Sequence, residues 1–195
     1  ATRATGSAAI KAASDGTDMG VLMFSISPLT RALGTTGGTG SVTVTASGSW
    51  SGSSNASWLT PSTVATTIGD GSVNYLVGSN NSSQPRTGVL TLAGIAFTVT
   101  QTGIACNPVL SPSAQSVSAY GASASVTVSQ AAADCSYTAT SNAAWITINS
   151  GASGSGISNP VAYTVASNAS SQARTGTMTI AGVTFTVNQA GLSCG

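Results

Sequence analysis

The sequence has no histidine and no glutamate, and its charged side chains are few: Arg3, Lys11, Arg31, Arg86 and Arg174 against Asp15, Asp18, Asp70 and Asp134. Each shortage removes a class of function. General acid–base chemistry would fall to the aspartates alone, and a nucleophile would lack its usual base. The chain is therefore expected not to be an enzyme, to hold no catalytic residue and to need no cofactor. A transition-metal site is not expected without His or a Cys pair at ligand spacing. "DGTD" and "GDG" are too poor in oxygen ligands for a good calcium site and read as solvated turns. A net charge of +1 leaves no electrostatic footprint for nucleic acid or anionic lipid. No apolar run reaches the roughly 18 residues of a membrane span. The partners that remain are further copies of the chain itself and a polysaccharide or glycan.

With so little charge, the polar surface must be built from Ser, Thr, Asn and Gly. Low charge makes a protein adhesive to its own kind, so such a chain is either kept soluble by glycans or meant to assemble. It begins at Ala1 rather than Met, and reads as an exported chain whose signal has been removed. The expected location is secreted or extracellular, as a cell-surface appendage. The alternative is an incomplete sequence.

What the sequence does have is a duplication. "SPLTRALGTTGGTGSVTV" from Ser27 aligns with "SPSAQSVSAYGASASVTV" from Ser111, 84 residues on. "ASWLT" (Ala56 to Thr60) falls on "AAWIT" (Ala143 to Thr147) at an offset of 87, and the closing block follows at 88. From Tyr75 to Gly103 against Tyr163 to Gly191, 18 of 29 residues are identical. Two copies are a tandem pair, too few for a solenoid.

Each copy reads as β. "VTVTAS" and "VTVSQ" alternate with period two. "GVLTLAGIAFTVTQ" and "GTMTIAGVTFTVNQ" read as hairpins turning at Ala93-Gly94 and Ala181-Gly182. No stretch sustains an apolar period of 3.6, and "AAIKAA" (Ala8 to Ala13) is too short for an independent helix. The expected fold class is all-β: two tandem Ig-like β-sandwich domains, with turns every 8–12 residues. The expected organisation is an extended N-terminal arm over 1–20, a first sandwich over 21–104 and a second over 105–195.

"CSYTAT…AAWITI" (Cys135 to Ile148), "NASSQARTGTMTIAGVTFTVNQAG" and the placement of Trp and Cys resemble the BACON-type repeats of secreted bacterial proteins, which are associated with Bacteroidetes. The resemblance covers about residues 22–104 and 105–194. It implies small Ig-like sandwiches in tandem and, through the family's proposed role, carbohydrate binding. The first copy departs from the pattern in having no cysteine.

The candidate site residues follow. Cys106 and Cys135 face Leu22 and Gly48 in the repeat alignment, so both cysteines are missing together from the first copy. Joint loss is what a bonded pair would show, and a Cys106–Cys135 disulfide is expected. Cys194 is the odd one out, whether free, capped or bonded between molecules. Arg86 and Arg174 open the same "RTG" and are either ligand contacts for a sugar or carboxylate, or structural donors to loop carbonyls. Sequons at Asn55, Asn80, Asn81 and Asn168 are candidate glycosylation sites. Eight of the ten aromatics pair off across the repeat, which suits a core better than a dedicated sugar platform.

The run "MGVLMFSISP" (Met19 to Pro28) is the most apolar in the chain. Its counterpart, "ACNPVLSP", is less apolar and carries Cys106. Val21, Met23 and Ser25 would face one way and Leu22, Phe24 and Ile26 the other, which implies burial on both sides. This run is either a first strand of its own domain or an assembly strand of Val21, Leu22, Met23, Phe24 and Ile26 donated to a neighbouring molecule. The latter logic is similar to that of donor-strand pilins. The arm, through Ala8, Ile10 and Ala12, is the other candidate donor. The leading expectation is an extracellular structural subunit that forms a pilus-like filament. The alternatives are a secreted carbohydrate-binding module and a spacer from a larger surface protein.

Overall fold

The structure, a computed structural model, describes residues 22–62 and 65–193. The arm, Val21 and Cys194 lie outside the described residues. Backbone contacts divide the chain into two units. The first includes residues up to Asn80 and Gln84–Gly103; the second includes Asn81–Ser83 and the residues from Ile104 onward. All regular structure among the described residues is strand.

The first unit holds β1 (Phe24–Ser27), β2 (Thr30–Leu33), β3 (Gly38–Ala46), β4 (Ser49–Trp50), β5 (Gly52–Ser54), β6 (Leu59–Pro61), β7 (Thr67–Ile68), β8 (Gly71–Val77), β9 (Arg86–Leu92) and β10 (Ile95–Gln101). One sheet runs β1-β3-β8-β6 and the other β2-β10-β9-β5, with β4 and β7 forming a small ribbon. The chain changes sheets at Ser27-Pro28, a cis peptide. Thus β1 lies antiparallel to β3, while β2 lies parallel to β10. This division of strands is the Ig-like pattern.

The second unit repeats it with β11 (Val109–Ser111), β12 (Ala114–Val117), β13 (Ala122–Ser129), β14 (Ser136–Ser141), β15 (Ile146–Ser150), β16 (Ser153–Ser155), β17 (Ser158–Val165), β18 (Arg174–Ile180) and β19 (Val183–Gln189). Its sheets run β11-β13-β17-β15 and β12-β19-β18-β14-β16.

Alternation builds each core. Along β8, Val73, Tyr75 and Val77 are buried, while Ser72, Asn74 and Leu76 face solvent. The inward rows of the two sheets meet face to face, with Phe97 in the first unit and Phe185 in the second fully buried. Each such side chain contributes roughly 1.5–3 kcal/mol by leaving water. Tyr75 packs on Phe97 and Tyr163 on Phe185, at centroid separations of 5.1 and 5.7 Å.

The first apolar run departs from the expectation of two-sided burial. Strand structure begins at Phe24, whose partner is Ala46, and Ile26 pairs with Val44 of the same unit. Ile26 is buried and Phe24 half-buried, but Leu22 and Met23 are 62% and 66% exposed. The physical reason is that β1 is an edge strand on a single sandwich. Only one of its faces meets the core, and no described residue covers the other. Phe24 and Ile26, assigned to a donated strand, are here part of their own sheet.

Candidate functional site

Arg86 and Arg174 are built into the frame of their units. Arg86 Nε donates to Gln101 Oε1 at 2.8 Å, and its terminal nitrogen donates to the carbonyls of Gly78 and Ser79. Arg174 does the same with Gln189, Ala166 and Ser167. Each guanidinium lies over a tryptophan, 4.3 Å from the ring centre of Trp58 and 4.2 Å from that of Trp145. The glycine of "RTG" completes the arrangement. A Cβ on Gly88 would stand 2.8 Å from Trp58, and one on Gly176 2.5 Å from Trp145. The triplet recurs because Arg covers one face of the ring and Gly makes room for its edge. Burial also pulls the Arg86 pKa below its ordinary value.

The glutamines extend this network. Gln101 Nε2 donates to the carbonyls of Gly34, Thr35 and Gly78, and Gln189 Nε2 to those of Ser118, Ala119 and Ala166. Asn80 and Asn168 are buried beside it, each with Nδ2 donated to two carbonyls: Gln84 and Thr102, and Gln172 and Ala190. A glycan would need that nitrogen, so these two sequons are structural. Asn55 and Asn81 are exposed.

Cys106 and Cys135 are joined, with Cα atoms 5.6 Å apart. Trp50 is buried and donates Nε1 to Gly69, and Tyr137 lies buried against Gly154. Asp70 of "GDG" accepts from the backbone N–H of Ala46 at 2.9 Å. Among the described aromatics only Tyr120 is largely exposed, at 82%, so the described surface offers one lone ring rather than a platform of several on which a sugar chain could stack.

A different feature stands out on the first unit. The solvent face of its β1-β3-β8-β6 sheet holds an open concavity of about 620 Å³. Strand register sets its lining in two rows. Thr39, Leu76 and Thr60 stand side by side, followed by Ser41, Asn74 and Ser62, whose N–H donates to Asn74 O. All six are exposed. No charged side chain lines the concavity among the described residues. Chemically it offers hydroxyls and one amide around an aliphatic centre, with no group able to transfer protons at neutral pH. Sequence reasoning passed over it because the residues are ordinary for a solvated strand. The available signal was local: within a closely matched block, Asn74 and Leu76 stand where the second copy has Ala162 and Thr164.

The fold and these networks define a protein of two Ig-like sandwiches, each locked by the same Arg–Trp–Gln frame. The chain belongs to the viral BACON domain family, whose model matches residues 23–106 and 109–192. No curated protein matches it significantly. Solved structures with some likeness include a GH5 xyloglucanase from Bacteroides ovatus in complex with a heptasaccharide (18% identity, TM-score 0.39). That match covers 44% of this chain, which spans 20% of the xyloglucanase chain. A protein of unknown function from Porphyromonas gingivalis is 10% identical, with 86% and 99% covered and a TM-score of 0.32. The chaperone–tip adhesion subunit complex of Acinetobacter baumannii Csu pili is 11% identical, with 88% and 100% covered and a TM-score of 0.34. At these scores none of the three bears on the function of this chain.

Proposed function

We propose that the chain is a non-catalytic, extracellular adhesion module directed at carbohydrate. The observation that carries this reading is the uncharged hydroxyl and amide concavity on the first unit. Such a lining suits a neutral, hydroxyl-rich ligand, and pockets of this volume hold small ligands. The test is retention of the intact chain on insoluble neutral polysaccharides, measured beside its sizing in solution. A monomer retained on at least one polysaccharide is the expected result; a monomer that passes through all of them overturns the reading.

Self-assembly into a pilus-like filament is the second reading. It is favoured by the exposed Leu22 and Met23 leading into β1, which among the described residues is an edge strand paired on one side. Residues 24–27 already pair within the first unit, so the donor would have to come from residues 1–21. Negative-stain microscopy of the chain with and without those residues separates the readings. Filaments that vanish on truncation support assembly, and dispersed particles in both samples sink it.

A further inference from the structure

The two units end corresponding sheets on an open strand, β6 in the first and β15 in the second, and among the described residues no strand lies beyond either. Register tells which main-chain groups each edge exposes. Gly78 N donates to Trp58 O and Ser62 N to Asn74 O, so Trp58, Thr60 and Ser62 turn their main-chain groups toward β8. Leu59 and Pro61 turn theirs outward. The Leu59 N–H is taken by Ala56 O, and a proline has none. These two positions therefore offer carbonyls and no donor, and an edge of acceptors alone cannot complete a ladder. In the second unit Ala166 N donates to Trp145 O, so Ile146 and Ile148 turn outward in the same way, and the Ile146 N–H is again taken, by Ala143 O. Ile148 stands where the first copy has Pro61, each following its matched Trp-Leu-Thr or Trp-Ile-Thr. It places an N–H at the open edge beside its carbonyl. Its side chain lies in the inward row opposite Tyr163 and packs on the core, yet it is only half-buried, because no described strand continues the sheet past it.

We propose that the β15 edge is a dimerisation surface, and that its partner is the same edge of a second copy of the chain. This goes beyond the adhesion reading and does not depend on it. The occupant has to bring one acceptor, one donor and one apolar side chain on the inward face. The β15 strand is complementary to itself in all three. Antiparallel about a two-fold axis, Ile148 meets Ile148 of the second copy. Each N–H donates to the other's carbonyl, and two four-stranded sheets become one. The two isoleucine side chains come directly opposite, so each covers apolar surface that the other leaves wet. Charge does not hold the copies apart. From residue 104 onward the only charged side chains are Asp134 and Arg174, and neither lies on β15 or β17. The edge thus has no lysine of the kind that keeps strands from pairing. The irregularity between Ile148 and Ser150 ends the open stretch, so the new ladder is short. A contact of this size is weak, with a dissociation constant of about 0.1–1 mM, and acts where copies are held close together. It is isologous and closes at two copies, unlike head-to-tail strand donation. The first unit, closed by Pro61, takes no part.

The test is sedimentation velocity of the full chain from about 10 µM to 1 mM, beside Ile148→Pro and Pro61→Ile, with NMR measurement of hydrogen exchange at the Ile148 amide. Each variant carries the residue that the sister unit bears at the same strand position, so the backbone accommodates it. The chain is expected to dimerise reversibly, and Ile148→Pro to weaken the dimer roughly tenfold or more by removing the edge donor. Pro61→Ile opens a second edge and is expected to give species larger than a dimer. Exchange of the Ile148 amide should slow as protein concentration rises, a readout that needs no variant. A chain monomeric at every concentration, a dimer equally strong in Ile148→Pro, a Pro61→Ile chain that stops at two copies, or an Ile148 amide indifferent to concentration overturns the proposal. Protection of that amide only when an extended peptide is added assigns the edge to a foreign strand and also overturns it. Retention on polysaccharide by a chain that stays monomeric overturns the dimer while leaving the adhesion reading intact.

Discussion

Where the first strand enters each unit, two chemistries occupy one position. In the second unit Cys106 and Cys135 are joined across a sequence separation of 29. In the first, Leu22 lies over Gly48, so close that a Cβ there would stand 2.7 Å from the leucine methyl. Hydrogen bonds between Met23 and Ser47 carry the strand pairing one residue further, from Met23 N to Ser47 Oγ at 2.8 Å and from Ser47 N to Met23 O at 3.1 Å. The glycine is the complement of the leucine, just as each cysteine is of the other, which is why both members of the pair change between repeats. The energies differ. A bond closing a loop of this length contributes roughly 3 kcal/mol through the unfolded chain. A leucine still 62% exposed buries too little surface for more than about 1 kcal/mol. The difference teaches that the repeats share an interior and diverge at their ends and faces.

The largest expected effect tests the shared interior. Gln101→Leu strands Arg86 Nε and takes one of the two donors from each of three carbonyls, and Gln189→Leu does the same around Arg174. Each should destabilise its own unit by about 4 kcal/mol, since a charged donor loses its partner and three further hydrogen bonds go with the amide. Hydrogen exchange at amides of each unit reads the two losses separately. Equal losses sharpen the comparison. A loss more than twofold greater in one unit would show that the interiors also differ.

Next comes the exchange of the two ends. Cys106→Leu/Cys135→Gly should lower the stability of the second unit by about 3 kcal/mol, and Leu22→Cys/Gly48→Cys should raise that of the first by about 2. Calorimetry of both proteins, oxidised, decides it. If the leucine–glycine pair serves the second unit as well as the disulfide, the two ends are equivalent and the energetic contrast is void.

How much of this was legible follows from what leaves a periodic trace. The tandem sandwiches were, because alternation and a repeat with long identical stretches write themselves into the chain. The joint absence of Cys106 and Cys135 from the first copy pointed to one another without geometry. The role of Arg86 was ambiguous, because an arginine before a strand looks the same whether it meets a ligand or a carbonyl; its stacking on Trp58 depends on a partner 28 positions away. The first strand misled because a run of apolar residues does not say whether both of its faces will be covered. The concavity left the faintest trace, since Thr, Ser and Asn on a solvated face become a site only when three strands set them side by side.

Tyr75 and Tyr163 give the third test. They occupy the same place, but Gly40 lies opposite the first and Ala124 opposite the second. The Tyr163 hydroxyl is buried without a hydrogen-bond partner among the described residues. Tyr163→Phe should therefore stabilise the second unit by about 1 kcal/mol at neutral pH, whereas Tyr75→Phe should bring no gain. Burial raises both phenol pKa values above the ordinary 10.0, partly offset at Tyr75 by the Arg31 charge. The native state then holds protons that the unfolded chain releases. Its stability is intact below pH 10 and falls as the pH rises through the shifted values. Urea unfolding from pH 8 to 11.5 should show the decline, with less of it in the second unit of the phenylalanine variant. An unchanged decline there would place its origin elsewhere.

The smallest effect lies where the units are most alike. Ala93 and Ala181 each hold φ at 52°, followed by Gly94 at 75° and Gly182 at 77°. Two successive left-handed residues make the turn that suits the twist of a hairpin, but an alanine there is strained by its own Cβ. Asparagine tolerates this conformation better, so Ala93→Asn and Ala181→Asn should each stabilise by about 0.5–1 kcal/mol in urea unfolding. Because the turn angles coincide, the two gains should agree to within a few tenths of a kcal/mol. The divergence of the repeats would then be confined to the strand entrances, the sheet face and its edge, and the tyrosine pocket. If only one variant gains, the strain at the other turn is being relieved by something beyond its backbone, and the hairpins cease to be interchangeable parts.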